Sequence, residues 1–212
     1  MPSLAYSTFS KNLLKDVDEL ILIHDTLKKP GKNALGHLTR SGIVMLCAAW
    51  EVYIEEVLKE ASRLLIERYN TPDEMPLAAK KVICNAIKYD KDELSPLKLA
   101  GDRWKKFFCD QIDKTTSELN TPKSTKINTL FNDALGIAKL SSAWSVGEQQ
   151  IDSFVKRRGE IAHNGGKAAY PTRKELTQFR DIVLKSISET DDFISEHLKK
   201  TTGKKPWNII TV

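Results

Sequence analysis

Apolar side chains recur along this chain at intervals of three and four residues, the period of a helix with one buried face. From about Tyr6 to Lys28 the face reads Phe9, Leu13, Val17, Leu20, Ile21 and Leu27, and Pro30-Gly31-Lys32-Asn33 ends it. A much longer stretch, roughly Leu35 to Tyr69, carries Ile43, Leu46, Cys47, Trp50, Tyr53, Ile54, Val57, Leu58, Ala61, Leu64 and Leu65. Apolar residues over so wide an arc place that helix at the centre of a bundle. Shorter segments follow. One runs from about Pro76 to Tyr89, a second starts at Ser95-Pro96 and carries Trp104, Phe107, Phe108 and Ile112, and a third spans Ser124 to Leu135 with Gly136 as its stop. Ser145-Val146-Gly147-Glu148 has the form of a capping box and opens a helix bearing Ile151, Phe154, Val155 and Ala162, closed by Asn164-Gly165. Thr172-Arg173-Lys174-Glu175 is a second box. The helix after it uses Leu176, Phe179, Ile182, Val183, Ile187, Ile194 and Leu198. No stretch alternates with the period of a strand, so an all-α fold is expected.

The middle helices are polar and interrupted, and residues 72–140 read as an inserted subregion packed on the main bundle. Residues 1–200 then form a single helical domain and 201–212 a tail, in which Trp207 and Ile209-Ile210 make an apolar end able to fold back. With 212 residues the chain is long enough for a substantial core. Net charge is +5, which permits an anionic partner without requiring one. Cys47, Cys84 and Cys109 are odd in number and widely spaced, the pattern of free thiols in a reducing compartment. The N-terminus lacks the basic start and apolar core of a signal peptide, and no apolar run reaches membrane-spanning length. A cytoplasmic location is expected, with no membrane partner.

Most familiar site chemistries have no foothold here. The histidines, His24, His37, His163 and His197, form no His-Glu-x-x-His pair, and there is no Cys-x-x-Cys, so neither metal nor cofactor is expected. Gly165-Gly166 follows a helix instead of opening one, so a phosphate loop is excluded. Asp191-Asp192 reads as a solvated pair of charges. Arg158 is the anomaly. On a wheel with Ile151 at zero and about 100° per residue, it falls at about 340°, inside the apolar stripe. A guanidinium cannot shed its proton, so on a buried stripe it needs a carboxylate, a phosphate or an interface. Glu51 is the candidate carboxylate. His163 lies five residues on, and histidine is the residue type suited to act as base or acid in proton transfer. Arginine offers a planar fork for phosphate oxygens, so the two residue types together suit metal-free RNA cleavage. In an ideal helix they point about 140° apart. They meet only if the last turn unwinds or a second copy of the helix packs against the first. Otherwise Arg158 pairs with Glu51 and His163 caps a helix end.

Arg158-Gly159-Glu160-Ile161-Ala162-His163-Asn164-Gly165 resembles the Arg-x4-6-His motif of the HEPN superfamily. Ile43 to Glu51 is similar to the family's early helix, and Asn120-Thr121-Pro122 leading to Leu135-Gly136-Ile137 agrees with a third stretch. Taken together these resemble the RiboL-PSP type of HEPN domain, with the MAE-type HEPN families as near alternatives. The resemblance spans roughly residues 5 to 200. It implies a HEPN-like helical bundle with long central antiparallel helices, homodimerisation through the motif helices and, in active members, a metal-independent endoribonuclease of toxin–antitoxin or antiviral defence type. Arg158 and His163 take the catalytic positions. Lys156, Arg157, Asn164 and Lys167 are the expected RNA-binding residues, and Glu51 and Glu160 support them. Gly159 stands where many active members carry a polar side chain, and Arg157 offers a second register for the motif. The alternative is a catalytically weak HEPN dimer that binds RNA, a nucleotide or a partner protein such as an antitoxin. A plain helical scaffold is the third reading.

Overall fold

The computed structural model describes residues 2–27, 35–164 and 169–207, and every regular element among them is helical. Helix α1 (Leu4–Thr8) runs through a π-helical turn (Phe9–Leu13) into α2 (Leu14–Leu27). Then come α3 (Gly36–Arg68), α4 (Leu77–Lys88), α5 (Arg103–Ser117), α6 (Ser124–Leu135), α7 (Glu148–Asn164) and α8 (Arg173–Thr202). None is long and apolar enough to cross a membrane.

α3 is the axis. Sixteen of its 33 residues are buried, around most of the helix rather than along one stripe. Each large apolar side chain removed from water is worth about 1.5–3 kcal/mol, so the other helices are arranged to cover it. α2, α5, α6, α7 and α8 all pack against it. Contacts fix the directions. Ala5 bonds Glu60, which makes the α1–α2 rod antiparallel to α3. Tyr53 reaches Ile187 and Thr39 reaches Pro171, so α8 runs parallel to α3. Phe154 packs on Phe179 while Arg157 bonds Glu175, which makes α7 antiparallel to α8. The short helices α4, α5 and α6 lie between α3 and α7 in the chain and share the same core.

Several sequence expectations are corrected. Leu14 is buried instead of Leu13, because the π turn adds a residue: the Leu14 N–H bonds the Phe9 carbonyl, five residues back, which brings Phe9 and Leu14 to one face. Leu27 is exposed, since the end of α2 is held by the Arg173–Asp25 ion pair (2.7 Å) rather than by apolar packing. Ser95-Pro96 opens only a 3-10 turn (Ser95–Leu99), and the helix bearing Trp104 starts afresh at Arg103. Ser145 does not cap α7. Its amide and hydroxyl both go to Glu189 on α8 (N···O 2.9 Å for the amide), and Gly147, at φ 83°, precedes the first helical residue. The box at Thr172 and Glu175 forms, and Gly136 ends α6 at φ 74°, in the left-handed region.

Asp191 is the largest reversal. It is fully buried rather than solvated. Its carboxylate accepts the Ser3 amide (3.1 Å), the Ser3 hydroxyl and the Tyr53 hydroxyl (3.4 Å). Its carbonyl accepts the indole N–H of Trp207 (3.1 Å). One residue thereby ties the N-terminal helix, α3 and the C-terminal segment together. Ile209 and Ile210 lie outside the described residues. Burial pushes the Asp191 carboxyl up to about 6, against the opposing pull of the Ser3 donors. A carboxyl raised above its unfolded value binds its proton more tightly in the fold. Its stabilising contribution is therefore full below the unfolded value and is lost as pH rises through about 6. We predict that the stability advantage of the wild type over Asp191→Asn, from urea melts, shrinks between pH 4 and 7 by at most about 3 kcal/mol. An advantage that grows over that window would contradict the assignment.

Candidate functional site on helix α7

Three connections position this helix against α3. The Trp50 indole N–H donates to the Pro122 carbonyl (3.2 Å), and the Glu51 carboxylate accepts the backbone N–H of Thr121. These hold the α5–α6 connector on α3 and fix Thr121 at φ 62°, a conformation that a β-branched residue adopts only when its surroundings demand it. From α7, Asp152 accepts the amide and hydroxyl of Ser124 (both 2.8 Å), capping α6 from outside its own sequence. The Trp50 and Trp144 rings meet edge to face at 5.6 Å. The Asn120-Thr121-Pro122 stretch is thus bolted to the Ile43–Glu51 stretch through Trp50 and Glu51.

Arg158 sits beside that junction. Its guanidinium lies in the electrostatic reach of Cys47 and Glu51, one turn apart on α3. Burial pushes the Cys47 thiol up to about 11, with Arg158 drawing it back only partly. Burial also raises the Glu51 carboxyl above the ordinary carboxylate value, opposed by Arg158, the Thr121 amide and Lys126. Yet no hydrogen bond or ion pair joins Arg158 to Glu51, and the buried Nε of Arg158 has no acceptor among the described residues. The guanidinium is half-buried, charged and incompletely satisfied. That is an arrangement suited to receiving an oxyanion.

The neighbouring arginine has a different fate. Arg157 donates from Nε to Glu175 (2.8 Å), from one terminal nitrogen to Glu160 (3.2 Å) and from the other to the Ala169 carbonyl (3.0 Å). Its fork is spent inside the protein, and Glu160 supports Arg157 rather than Arg158. Among the described residues, Arg158 is the member of the pair with no hydrogen bond or ion pair to a carboxylate. Lys156, His163 and Asn164 are exposed on the same helix, and Lys167 lies outside the described residues.

α7 stays α-helical through Asn164, so its last turn does not unwind. Arg158 and His163 therefore keep their separation of about 140° and cannot close on one phosphate within a single chain. Ala162 is expected inside the stripe but is exposed, and Ile161 is buried in its place. The azimuth that faces the core at Ile151 and Val155 is uncovered by the time the helix reaches Ala162. On α3 a second uncovered strip adjoins the site: Val44, Met45 and Val52 are 37%, 37% and 40% exposed, with Ala48 exposed between them. These are helical neighbours of Glu51. A Cβ built at Gly159 meets nothing within 4 Å. Spacing on α3 could have signalled Cys47 beside Glu51, whereas Lys126 and Asp152 come to the site only through the tertiary fold.

The all-helical bundle is that of a recognisable class, the HEPN domains. The chain is a member of the RiboL-PSP-HEPN family, whose model matches residues 11–196. Comparison with curated proteins and with solved structures gives no significant match.

The different roles of the two arginines can be separated by stability. Arg157→Ala should cost about 2 kcal/mol in urea denaturation, because a partly buried guanidinium leaves two carboxylates and a carbonyl without their donor. Arg158→Ala should cost less than about 1 kcal/mol. Equal losses, or a larger loss at Arg158, would mean that Arg158 is a structural ion-pair partner.

Proposed function

We propose that this chain is a metal-independent endoribonuclease that cuts RNA at a composite site formed by two copies, with Arg158 and His163 as its catalytic residues. The observation that carries the reading is the half-buried Arg158 guanidinium, whose Nε has no acceptor among the described residues, five residues before an exposed histidine on a helix whose flank is apolar and uncovered. A two-fold pairing over Val44, Ala48, Val52 and Ala162 would bury that flank and bring the motif helices of both copies together. It would also supply the second motif that one chain cannot present. In such a cleft His163 takes the proton of a ribose 2′-hydroxyl. The 2′-oxygen bonds to phosphorus, the bond to the 5′-oxygen breaks with that oxygen taking up a proton from water and leaving as a 5′-hydroxyl, and a 2′,3′-cyclic phosphate is left on the other strand end. Arg158 offers its donors to the charge that builds on the phosphoryl oxygens. Lys156 and Asn164 add donors along the backbone path, while Arg157 contributes only by bracing α7 against α8.

The polar side chain that many active HEPN members place after the arginine is missing at Gly159, and this favours a second reading. The chain is then a weakly catalytic dimer that binds RNA, a nucleotide or a partner protein. The open space around Gly159 means that Gly159→Asn can be accommodated without a clash, so restoration of activity can be tested directly. A cytoplasmic role in toxin–antitoxin pairs or antiviral defence, with a cognate protein partner, fits either reading.

Two measurements test the proposal. Cleavage of RNA should persist in excess chelator, since neither step draws on a metal. His163→Ala should lower it at least about a hundredfold while leaving RNA affinity nearly unchanged, because proton transfer is lost but phosphate contacts are not. Cleavage that requires added magnesium or manganese, or that survives His163→Ala, would overturn the assignment.

A further inference from the structure

The subregion inserted between α3 and α7 carries a feature that cleavage at α7 does not use. Between α4 and α5 lies a groove of about 810 Å³. One wall is formed by Asn85 and Tyr89 of α4, the other by Phe107, Gln111 and Lys114 of α5, with Lys91 and Lys98 on the connector between them. Tyr89, the residue that ends α4, is 74% exposed, so the face of its ring is open to a partner. The ammonium of Lys88 lies 5.3 Å from its centroid, so a cation sits beside the aromatic surface. The single acidic side chain lining the groove, Asp90, is already taken by Lys98 at 2.7 Å. Lys91 and Lys114 have no ion pair among the described residues and are exposed. The groove thus combines an exposed ring, two side-chain amides at Asn85 and Gln111, and a surplus of unpaired positive charge.

We propose that this groove binds single-stranded polynucleotide, with Tyr89 stacking on a base and Lys91 and Lys114 contacting the phosphates on either side. An acidic peptide would use the lysines but would leave the exposed ring and the amides without a purpose. A duplex would hide the base faces that the ring is placed to meet. The groove also connects to the motif helix. Gln111, Thr115 and Glu118 follow one another at spacings of four and three along one face of α5, Glu118 standing just past its last residue. Thr115 and Glu118 lead into a second depression, of about 370 Å³, bordered by Lys126. Lys126 in turn lies within the electrostatic reach of Glu51, the neighbour of Arg158. A strand held at Tyr89 can therefore run over α5 and α6 toward Arg158. The groove shares no residue with the cleavage site, so binding there stands whether or not the chain cleaves.

The test uses the full chain carrying His163→Ala, to prevent cleavage, and a short fluorescently labelled oligouridylate followed by anisotropy. Tyr89→Ala should weaken binding about fivefold or more, the loss of one stacked base. Lys91→Gln with Lys114→Gln should lower the slope of log affinity against log salt by about 1.4, two phosphate contacts on a single strand. Circular dichroism should stay unchanged, since the three positions are exposed. The proposal is overturned if the variants bind as tightly and with the same salt slope as their parent, or if the parent does not bind at all. It is equally overturned if inorganic polyphosphate binds as well as the oligonucleotide and Tyr89→Ala has no effect, which would leave a surface read by charge alone. Loss of binding in Arg158→Ala but not in Tyr89→Ala would place the strand on α7 instead. Groove-dependent binding by a wild type that never cleaves would sink the ribonuclease reading and leave this one standing.

Discussion

The architecture follows from the need to cover α3. A helix of 33 residues with apolar side chains over most of its circumference cannot be served by one neighbour. The α1–α2 rod, α8, α7, α5 and α6 all pack against it. What they leave open is the strip containing Val44, Met45, Ala48 and Val52. That strip adjoins Glu51, and Glu51 adjoins Arg158. The incomplete covering of the central helix and the incomplete satisfaction of the arginine thus occur at one place on the molecule. Pairing of two copies there would remedy both, and this links the packing to the proposed chemistry.

Polar groups at the helix junctions fix how the covering helices are set. Most do so by satisfying backbone donors of a distant segment. Asp191 gathers Ser3, Tyr53 and Trp207. Asp152 caps α6 from α7, and Glu189 holds the amide ahead of α7 from α8. Arg180 grips Asp18 with two nitrogens, at 2.6 and 3.0 Å, locking α2 to α8. Apolar burial decides that these helices associate, while the carboxylates and arginines decide the register in which they do so. Arg157 belongs to this structural group. Arg158, next to it in sequence, does not.

Much of this was legible in the sequence. The period of apolar residues located the helices, and Gly136 and the Thr172–Glu175 box marked boundaries that the structure keeps. Their physics is local, so a few adjacent residues suffice to read them. The π turn was not legible, because a five-residue spacing between Phe9 and Leu14 appears as imperfect four-residue periodicity. Asp191 was misread for a related reason. Two adjacent acids on a helix look solvated unless one knows that the N-terminus and Trp207 return to meet one of them. The motif pointed to Arg158 and His163, but spacing could not say whether Arg157 or Arg158 was free, nor that α7 would stay helical to Asn164. The first answer depends on Glu175 and Ala169, which reach α7 only in the folded chain.

The central claim, that the site is shared between copies, can be tested by mixing two inactive variants. Arg158→Ala and His163→Ala should each be inactive alone. If a site joins Arg158 of one copy to His163 of the other, co-refolding equal amounts yields mixed dimers with one intact site of two. Activity should then return to about a quarter of the wild-type level, since half of the dimers are mixed. If each site used an arginine and a histidine from the same chain, neither site of a mixed dimer would be whole, and no activity would return. Persistent inactivity of mixtures shown by mass spectrometry to contain mixed dimers would contradict the account.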